Sequence, residues 1–401
     1  MIRRRELLLG AVGLAGGACV AATPARPLRV GVVGAGIVGA SIAYHLALAG
    51  ARVSVFEARG PALGATRNSF AWLNAFVPDA HYRDLRLASL AAYHALDSPL
   101  KLGIIWGGYL AWSHDEAGAD DIEESVRELA DSLFPVRRVA APDIALIDPA
   151  LRAGSVARGL YSAIDGHADP VWVARRFLDG AEALGAQSRY PCRVHAIRMR
   201  GGRLAGVATD AGPVALERLV VAGGVEAPAL LAGAGYRLPL RHSPGLLAHS
   251  VPGVPATRLV HDAPGGTGFK QMADGHFVAF DAAEPPDIAA HAVIRREQTG
   301  FPDESLRALH GERILRKLSE LMPAAQGLPL GRVTLGFRPM PLDEHPVAGA
   351  VPGASGVYVA VTHSGVTLAP ILGQIVAREV LEGVLDPRLA PYRPERFLRA
   401  G

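Results

Sequence analysis

Three glycines and one acid are the residues of this sequence best suited to chemistry. Gly34, Gly36 and Gly39 form a Gly-x-Gly-x-x-Gly pattern, and seventeen residues separate Gly39 from Glu57. Such glycines permit a tight turn, let a pyrophosphate approach the backbone and let a helix pack closely on a strand. A carboxylate at Glu57 can accept hydrogen bonds from both hydroxyls of a ribose and would repel a 2′-phosphate. The pattern therefore predicts a dinucleotide site that disfavours NADP.

The elements around these glycines follow the order that such a site requires. The hydrophobic pattern predicts a buried parallel strand over 28–33, a helix over 40–49 ended by Gly50, and a second strand over 52–56. The glycine turn then lies at a helix N-terminus, where free N–H groups and the helix dipole favour phosphates. This unit alone does not separate NAD from FAD.

Two further segments distinguish these cofactors. A small polar loop over 62–69 follows Glu57, where an NAD domain usually continues into another helix and strand. Near the other end of the chain, the pattern predicts a strand over 356–361, then a glycine turn and a helix over 371–381. This organisation favours FAD.

These segments resemble the D-amino-acid oxidase superfamily of FAD proteins, which includes glycine oxidase and monomeric sarcosine oxidase. The resemblance runs from about residue 28 to 385, and its first and fourth stretches together are specific. The four stretches are the dinucleotide unit with its Gly64-Ala65-Thr66-x-x-Ser69 loop, 165–170, 219–224, and 336–346 followed by His363-Ser364-Gly365.

The resemblance implies where each part of FAD would bind. The three glycines would face its pyrophosphate, and Glu57 would hold the adenosine ribose. Ala65 and Thr66 would lie beside the pyrophosphate and ribityl chain, and Val194 would present its backbone to adenine. Backbone N–H groups at a helix start would hold the ribityl and pyrimidine end, and these belong to Ser364, Gly365, Val366, Thr367 and Leu368.

Arg338 matches the family arginine that clamps a substrate carboxylate. A guanidinium suits this role because it pairs bidentately with a carboxylate and stays charged when buried. The alternative is a structural arginine that pairs with Asp343 or Glu344. The resemblance also brings His363 close to the flavin, where contact with substrate and orientation of the loop are equally open roles.

Sarcosine oxidase uses a lysine over the flavin to activate oxygen, and this sequence departs from that pattern. In the hairpin predicted over 268–280, Val278 aligns with the lysine, whereas Lys270 is nearby in sequence but out of register. Lys270 is a candidate catalytic residue, with a surface or structural role as the alternative. Fast oxidation by oxygen is therefore in doubt, and oxygen and another electron acceptor both stay open.

These features predict an enzyme that oxidises the C–N bond of an amino acid or secondary amine, as an oxidase or a dehydrogenase. The amine would bind neutral, its C–H bond over flavin N5, and hydride would leave carbon without a dedicated base. FAD is expected to be non-covalent, since 333–336 has no cysteine and 64–71 has no histidine. The alternatives are oxidation of a hydroxy acid or other alcohol, a non-catalytic flavoprotein assembly factor and, more distantly, an NAD dehydrogenase.

Length and composition predict the domain organisation. The chain has 401 residues, half of them hydrophobic, which suits two folded domains. The expected fold is α/β, with a Rossmann-type FAD-binding domain interleaved with a substrate domain built on an antiparallel or mixed β-sheet. The FAD-binding domain is predicted over 27–84, 161–239 and 331–390, and the substrate domain over 85–160 and 240–330.

Residues 1–26 are predicted to be a twin-arginine signal peptide. Arginines at 3–5 precede an uncharged stretch over 7–22, and small residues at 20–22 offer a cleavage point. This stretch is shorter than the about 20 residues of a bilayer span, so no transmembrane span is expected once the leader is removed. The expected location is periplasmic or exported, or cytoplasmic if the leader is not used.

Charge and cysteine content exclude several functions. The formal net charge is +3, but only the arginines at 3–5 form a basic run, so no nucleic acid partner is expected. Two cysteines, Cys19 and Cys192, cannot form a disulfide framework, a four-thiolate zinc site or an iron–sulfur cluster. No metal site is expected.

Overall fold

The computed structural model describes residues 26–130, 134–282, 289–297, 300–301 and 303–399. The predicted signal peptide, except Arg26, therefore lies outside the described residues. In chain order the strands are β1 (Arg29–Val33), β2 (Arg52–Phe56), β3 (Trp72–Leu73), β4 (Tyr109–Ser113), β5 (Val136–Val139), β6 (Arg158–Ser162), β7 (Gly166–His167), β8 (Gln187–Arg189), β9 (Val194–Arg200), β10 (Arg203–Thr209), β11 (Gly212–Ala215), β12 (Arg218–Val221), β13 (Leu240–Ser250), β14 (Val260–Ala263), β15 (Thr267–Gln271), β16 (Phe277–Asp281), β17 (Leu330–Pro341), β18 (Val347–Ala350) and β19 (Val357–Val361). The α-helices are α1 (Ile37–Leu48), α2 (Ala80–Leu100), α3 (Glu116–Ala130), α4 (Ala141–Ile147), α5 (Pro170–Ala183), α6 (Ala227–Ala232), α7 (Ala289–Glu297), α8 (Glu304–Leu321) and α9 (Gly365–Glu382).

The dinucleotide unit lies in a six-stranded sheet with the order β18-β19-β12-β1-β2-β8. Its strands are parallel except β18, which runs antiparallel to β19. Helix α1 packs between α5 and α9, which explains why almost every residue of α1 is buried and why its sequence is apolar on all faces. The opposite face of the sheet shares an apolar core with the antiparallel strands β9, β10 and β11. The predicted Rossmann-type domain is confirmed.

The second large sheet has eight strands in the order β17-β13-β16-β15-β14-β4-β6-β5. It is mixed, because β14 and β4 are parallel while the other neighbours are antiparallel. Strand β17 pairs with β13 along its whole length, so the domain boundary expected at 331 falls inside a strand of this sheet. The two sheets are interleaved along the chain, and the expected α/β fold class with a mixed second sheet is confirmed.

The predicted hairpin and the positions of Lys270 and Val278 within it can be compared with this sheet. The hairpin predicted over 268–280 forms from β15 and β16, and Lys270 lies directly opposite Val278. Because directly opposed residues in an antiparallel pair share a face, these two side chains are neighbours on one side of the sheet.

Helix α9 begins at Gly365, six residues before the predicted start, and includes Pro370. Proline has no N–H to donate to the carbonyl of Val366, which would break the hydrogen-bond ladder of an isolated helix. Here the Tyr93 hydroxyl donates to that carbonyl at 2.6 Å, and the Ser89 hydroxyl donates to the Thr367 carbonyl at 2.6 Å. The Tyr93 hydroxyl thus replaces the bond that the proline removes, and the Ser89 hydroxyl adds a second hydrogen bond between α2 and the first turn of α9. None of the described helices is long and apolar enough to cross a bilayer.

Candidate active site

One large cavity lies between the two sheets. Its volume is about 1820 Å³, which exceeds the roughly 300–1,000 Å³ of pockets for drug-sized ligands. It begins at the carboxyl ends of β1 and β2, passes the start of α9 and reaches β13 and β17 of the eight-stranded sheet. In open α/β sheets, ligands bind beyond the carboxyl ends of the strands. The cavity therefore has room for an extended cofactor and a second molecule beside it.

The glycine turn forms one end of this cavity. Gly34 has a φ of +101°, and a Cβ atom there would lie 2.5 Å from the Ala222 carbonyl oxygen. A Cβ atom on Gly39 would lie only 2.0 Å from the Gly34 carbonyl oxygen, so Gly39 is needed for packing of α1 on the turn. Gly34 and Gly36 line the cavity and Gly39 does not. Gly34 and Gly36 thus face the cavity directly, and the pyrophosphate contact expected of all three glycines stays a prediction.

Glu57 and the 62–69 loop are fixed around the start of α1. The Glu57 carboxylate lines the cavity and accepts hydrogen bonds from the backbone N–H groups of Ala35 and Arg59, each at 3.0 Å. Thr66 Oγ1 accepts from the Ile37 N–H at 3.1 Å. Ala65, Thr66 and Val194, the other candidates at this end, also line the cavity.

The start of α9 faces the middle of the cavity. The cavity is lined there by Gly365, Val366 and Thr367. No described residue accepts a hydrogen bond from the backbone N–H groups of these three residues. The Ser364 N–H donates to Thr362 Oγ1 at 3.1 Å, and the Leu368 N–H donates to the Ser364 carbonyl. Leu368 is fully buried and does not line the cavity. Of the five N–H groups expected to bind FAD, those of Ser364 and Leu368 already have acceptors within the protein. The other three, of Gly365, Val366 and Thr367, fit the polar edge of an FAD ring system.

Arg338 projects from β17 into the cavity. Its Nη2 donates to the Ser243 hydroxyl at 2.8 Å, and Ser243 is its cross-strand neighbour on β13. Asp343 instead pairs with Arg396, and Glu344 pairs with Arg241. Both acids therefore have other ion-pair partners, and among the described residues the Arg338 guanidinium donates a hydrogen bond only to the Ser243 hydroxyl. It remains available for an anionic ligand.

His363 lies on the cavity wall beside the start of α9. Burial lowers the pKa of His363 to about 4, and the nearby Arg86 and Arg338 guanidinium groups lower it further in the same direction. The imidazole is therefore neutral near pH 7. It can orient a ligand by hydrogen bonding, but it adds no positive charge at this point.

Lys270 does not line the cavity. It is 1% exposed, and its Nζ donates to the Ala168 carbonyl at 3.1 Å and lies 5.4 Å from the centre of the Phe70 ring, which does line the cavity. Burial lowers the pKa of Lys270 to about 7. Its position behind the cavity wall favours the structural role over direct contact with a substrate.

Sequence reasoning missed Arg86. This residue is on α2, is 6% exposed and lines the cavity. Its Nη1 donates to Asn74 Oδ1 at 2.8 Å and its Nη2 to the Ser364 hydroxyl at 2.7 Å. The available signal was the helical spacing of Tyr82, Arg86, Ser89 and Tyr93, which puts an arginine on the buried face of α2.

The glycine turn and Glu57 are placed to bind a dinucleotide, and the same cavity reaches Arg338, which forms no ion pair in the described part of the chain. This combination is typical of a dinucleotide-dependent oxidoreductase. The family model described as FAD dependent oxidoreductase matches residues 29–379. The chain therefore belongs to the DAO family of FAD-dependent oxidoreductases, as its resemblance to D-amino-acid oxidase predicted.

Similar proteins support this assignment over nearly the whole chain. The uncharacterised oxidoreductase YurR of Bacillus subtilis is 28% identical over 90% of this chain and 97% of its own. The chain covers only 44% of mouse mitochondrial dimethylglycine dehydrogenase, with 24% identity. The crystal structure of glycine oxidase from Geobacillus kaustophilus matches with a TM-score of 0.80 and 25% identity, covering 92% of this chain and 99% of that one.

The buried Lys270 predicts a pH-dependent stability. Its pKa of about 7 in the folded protein lies below the ordinary value of 10.5, so the unfolded chain binds more protons between those pH values. The free energy of unfolding should therefore rise above pH 7, by up to about 1.4 kcal/mol per pH unit from this group. Lys270→Met should remove this rise in denaturant titrations at pH 7, 8 and 9.

Lys101→Met is the matched control, because it makes the same chemical change at an exposed position. Its pH profile should run parallel to that of the unaltered protein. Parallel profiles for Lys270→Met as well would contradict the assignment of a depressed pKa to Lys270.

Proposed function

We propose that this enzyme oxidises the C–N bond of an amino acid or secondary amine that carries a carboxylate. The observation that carries the proposal is Arg338, a cation on the cavity wall that forms no ion pair with Asp343 or Glu344, because these acids pair with Arg396 and Arg241. A substrate carboxylate would complete its hydrogen bonding in bidentate form. Glycine and dimethylglycine, from which two of the similar enzymes are named, both carry a carboxylate next to an amine carbon.

The residues that would hold FAD follow the length of the cavity. Gly34 and Gly36 would meet the pyrophosphate, Glu57 the adenosine ribose, and the backbone of Val194 the adenine. The 65–66 loop would lie beside the ribityl chain, and the N–H groups of Gly365, Val366 and Thr367 would reach the pyrimidine edge. We propose that the attachment is non-covalent, because Cys192, the only cysteine of the described residues, is buried and does not line the cavity.

Bound FAD supplies a two-electron acceptor for the hydride that leaves the substrate carbon. The protein's own contribution is positioning and charge. Arg338 binds the carboxylate, and the Ser243 hydroxyl fixes the direction of the guanidinium. His363 stays neutral and so adds no positive charge beside the amine, which would bind in its neutral form. Phe70 and Trp72 line the same cavity and exclude water from the reacting carbon.

Anaerobic reduction of the purified yellow protein tests this function. Amino acids and N-methyl amino acids should bleach the flavin absorbance, whereas amines of the same size without a carboxylate should not. Bleaching by 2-hydroxy acids but not by amines would replace the proposal with alcohol oxidation. A panel that leaves the flavin oxidised throughout would replace it with a non-catalytic flavoprotein.

Arg338→Lys should weaken carboxylate binding without altering the fold. A lysine ammonium cannot form the paired hydrogen bonds of a guanidinium, and loss of one charged hydrogen bond, about 1.5–3 kcal/mol, raises KM by roughly tenfold or more. Steady-state kinetics should show this rise in KM with a smaller change in kcat. Arg241→Lys is the matched control, since Arg241 lines the same cavity but is paired with Glu344. Equal kinetics for Arg338→Lys and the unaltered enzyme would remove the clamp.

We also propose that residues 1–22 direct export of the folded, cofactor-loaded protein by the twin-arginine route. The support is the pattern of the arginines at 3–5, the apolar stretch and the small residues before Thr23. The exported protein should begin at Thr23 on N-terminal sequencing, and replacement of Arg4 and Arg5 by lysine should retain it in the cytoplasm. Export of that double variant at the normal level would contradict the proposal.

A further inference from the structure

Arg86 lies one helical turn before Ser89 and two turns before Tyr93, the side chains with which α2 binds the first turn of α9. Ser89 and Tyr93 bind carbonyls of the first turn of α9, and Arg86 binds the hydroxyl of Ser364, the residue just before that turn. It also donates to Asn74 Oδ1 and, at 3.4 Å, to the Tyr82 hydroxyl, and the centre of the Tyr82 ring lies 4.6 Å from the guanidinium carbon. The guanidinium is thus held in one orientation against the cavity wall.

The charge of Arg86 has no acidic partner. Arg86 forms no ion pair with any carboxylate of the described residues, and its buried Nε has no hydrogen-bond partner. A buried charge is costly unless it is paired, so a cation kept in this state points to a negative group supplied from outside the chain. The cavity that Arg86 lines is where such a group would enter.

The Arg86 charge already acts on the groups around it. Burial raises the pKa of Asp165 to about 7, with Arg86 and two hydrogen bonds acting in the opposite direction. Burial also lowers the pKa of His363, and Arg86 is the largest charged contributor to that lowering. Asp165 therefore carries only part of a negative charge near pH 7 and His363 is neutral, so neither group fully cancels the positive charge near the α9 start.

We propose that Arg86 is a positioning residue, acting through Ser364, that raises the reduction potential of bound FAD. This inference rests on the proposed placement of the flavin pyrimidine edge at the start of α9. Reduced flavin carries negative charge near N1 and C2=O. The three free N–H groups of α9 and the fixed cation behind them would stabilise that charge more than the neutral oxidised ring, because both are oriented before reduction occurs.

The test measures the reduction equilibrium of the FAD-bound protein against a reference dye. Arg86→Gln should lower the equilibrium constant for reduction by about tenfold, which is about 30 mV for a two-electron couple. Arg86→Lys keeps the charge, so its equilibrium constant should stay within a factor of about three of the unaltered protein, which is about 14 mV. Arg193→Gln is the matched control, because Arg193 lines the cavity beside Val194 and is paired with Glu226; it should leave the potential unchanged.

Ser364→Ala gives a second measurement that does not depend on folding of Arg86→Gln. It removes the hydroxyl that holds the guanidinium but keeps the charge, so the equilibrium constant should fall by a few-fold. Unchanged potentials in both Arg86→Gln and Ser364→Ala would overturn the inference. A raised KM for carboxylate substrates with an unchanged potential in Arg86→Gln would also overturn it, and would make Arg86 a substrate ligand instead.

The outcomes for this inference are separable from those for the proposed function. An unaltered protein that binds FAD and is bleached by amino acids, combined with unchanged potentials in the variants, leaves the function standing and removes only the role of Arg86. An unaltered protein that no substrate reduces removes the function, while the dye equilibrium still measures the effect of Arg86 on the potential.

Discussion

The contact between α2 and the first turn of α9 is the constraint on which the site depends. Pro370 leaves the Val366 carbonyl without its helical donor, and buried backbone carbonyls must find partners. The Tyr93 hydroxyl on the neighbouring helix donates to that carbonyl, and the Ser89 hydroxyl donates to the next one, that of Thr367. Because these bonds satisfy the carbonyls from outside, α9 can begin at Gly365 and direct its first N–H groups into the cavity. Packing of α2 therefore determines where an anionic ligand can be stabilised.

The eight-stranded sheet positions the other functional group by register. Ser243 and Arg338 are directly opposed on β13 and β17, and the hydrogen bond between their side chains joins cross-strand neighbours. A shift of one residue in either strand would turn Arg338 to the other face of the sheet. The predicted domain boundary at 331 falls inside β17, which is the last strand of this sheet in chain order. The chain leaves the sheet through 342–346 and continues into β18 and β19. The strand that carries Arg338 is therefore followed along the chain by β18, β19 and α9, so one continuous segment connects the two parts of the site.

Local patterns predicted the parts of the structure that local forces determine. The strands β1 and β2, the glycine turn and the hairpin of β15 and β16 each depend on residues close together in sequence, and each was predicted. The start of α9 was wrong by six residues because its hydrogen-bond donors on α2 are more than 270 residues away. Arg86 was missed for the same reason, because its position in the site depends on a hydrogen bond to Ser364, which is 278 residues away in sequence. The packing role predicted for Gly39 is also local, because a Cβ atom there would meet the Gly34 carbonyl oxygen of the same turn.

The distribution of charge along the cavity explains how a site without an obvious catalytic base could oxidise an amine. The acid Glu57 lies at the dinucleotide end of the cavity, whereas the cations Arg86 and Arg338 line it beside the start of α9 and on β17. Those cations help to keep His363 neutral, so the imidazole does not compete with them for a carboxylate. Positive charge is then concentrated where negative charge would arrive, on the substrate carboxylate and on the reduced ring. Fixed charges of this kind stabilise the product of hydride transfer without any proton transfer from the protein.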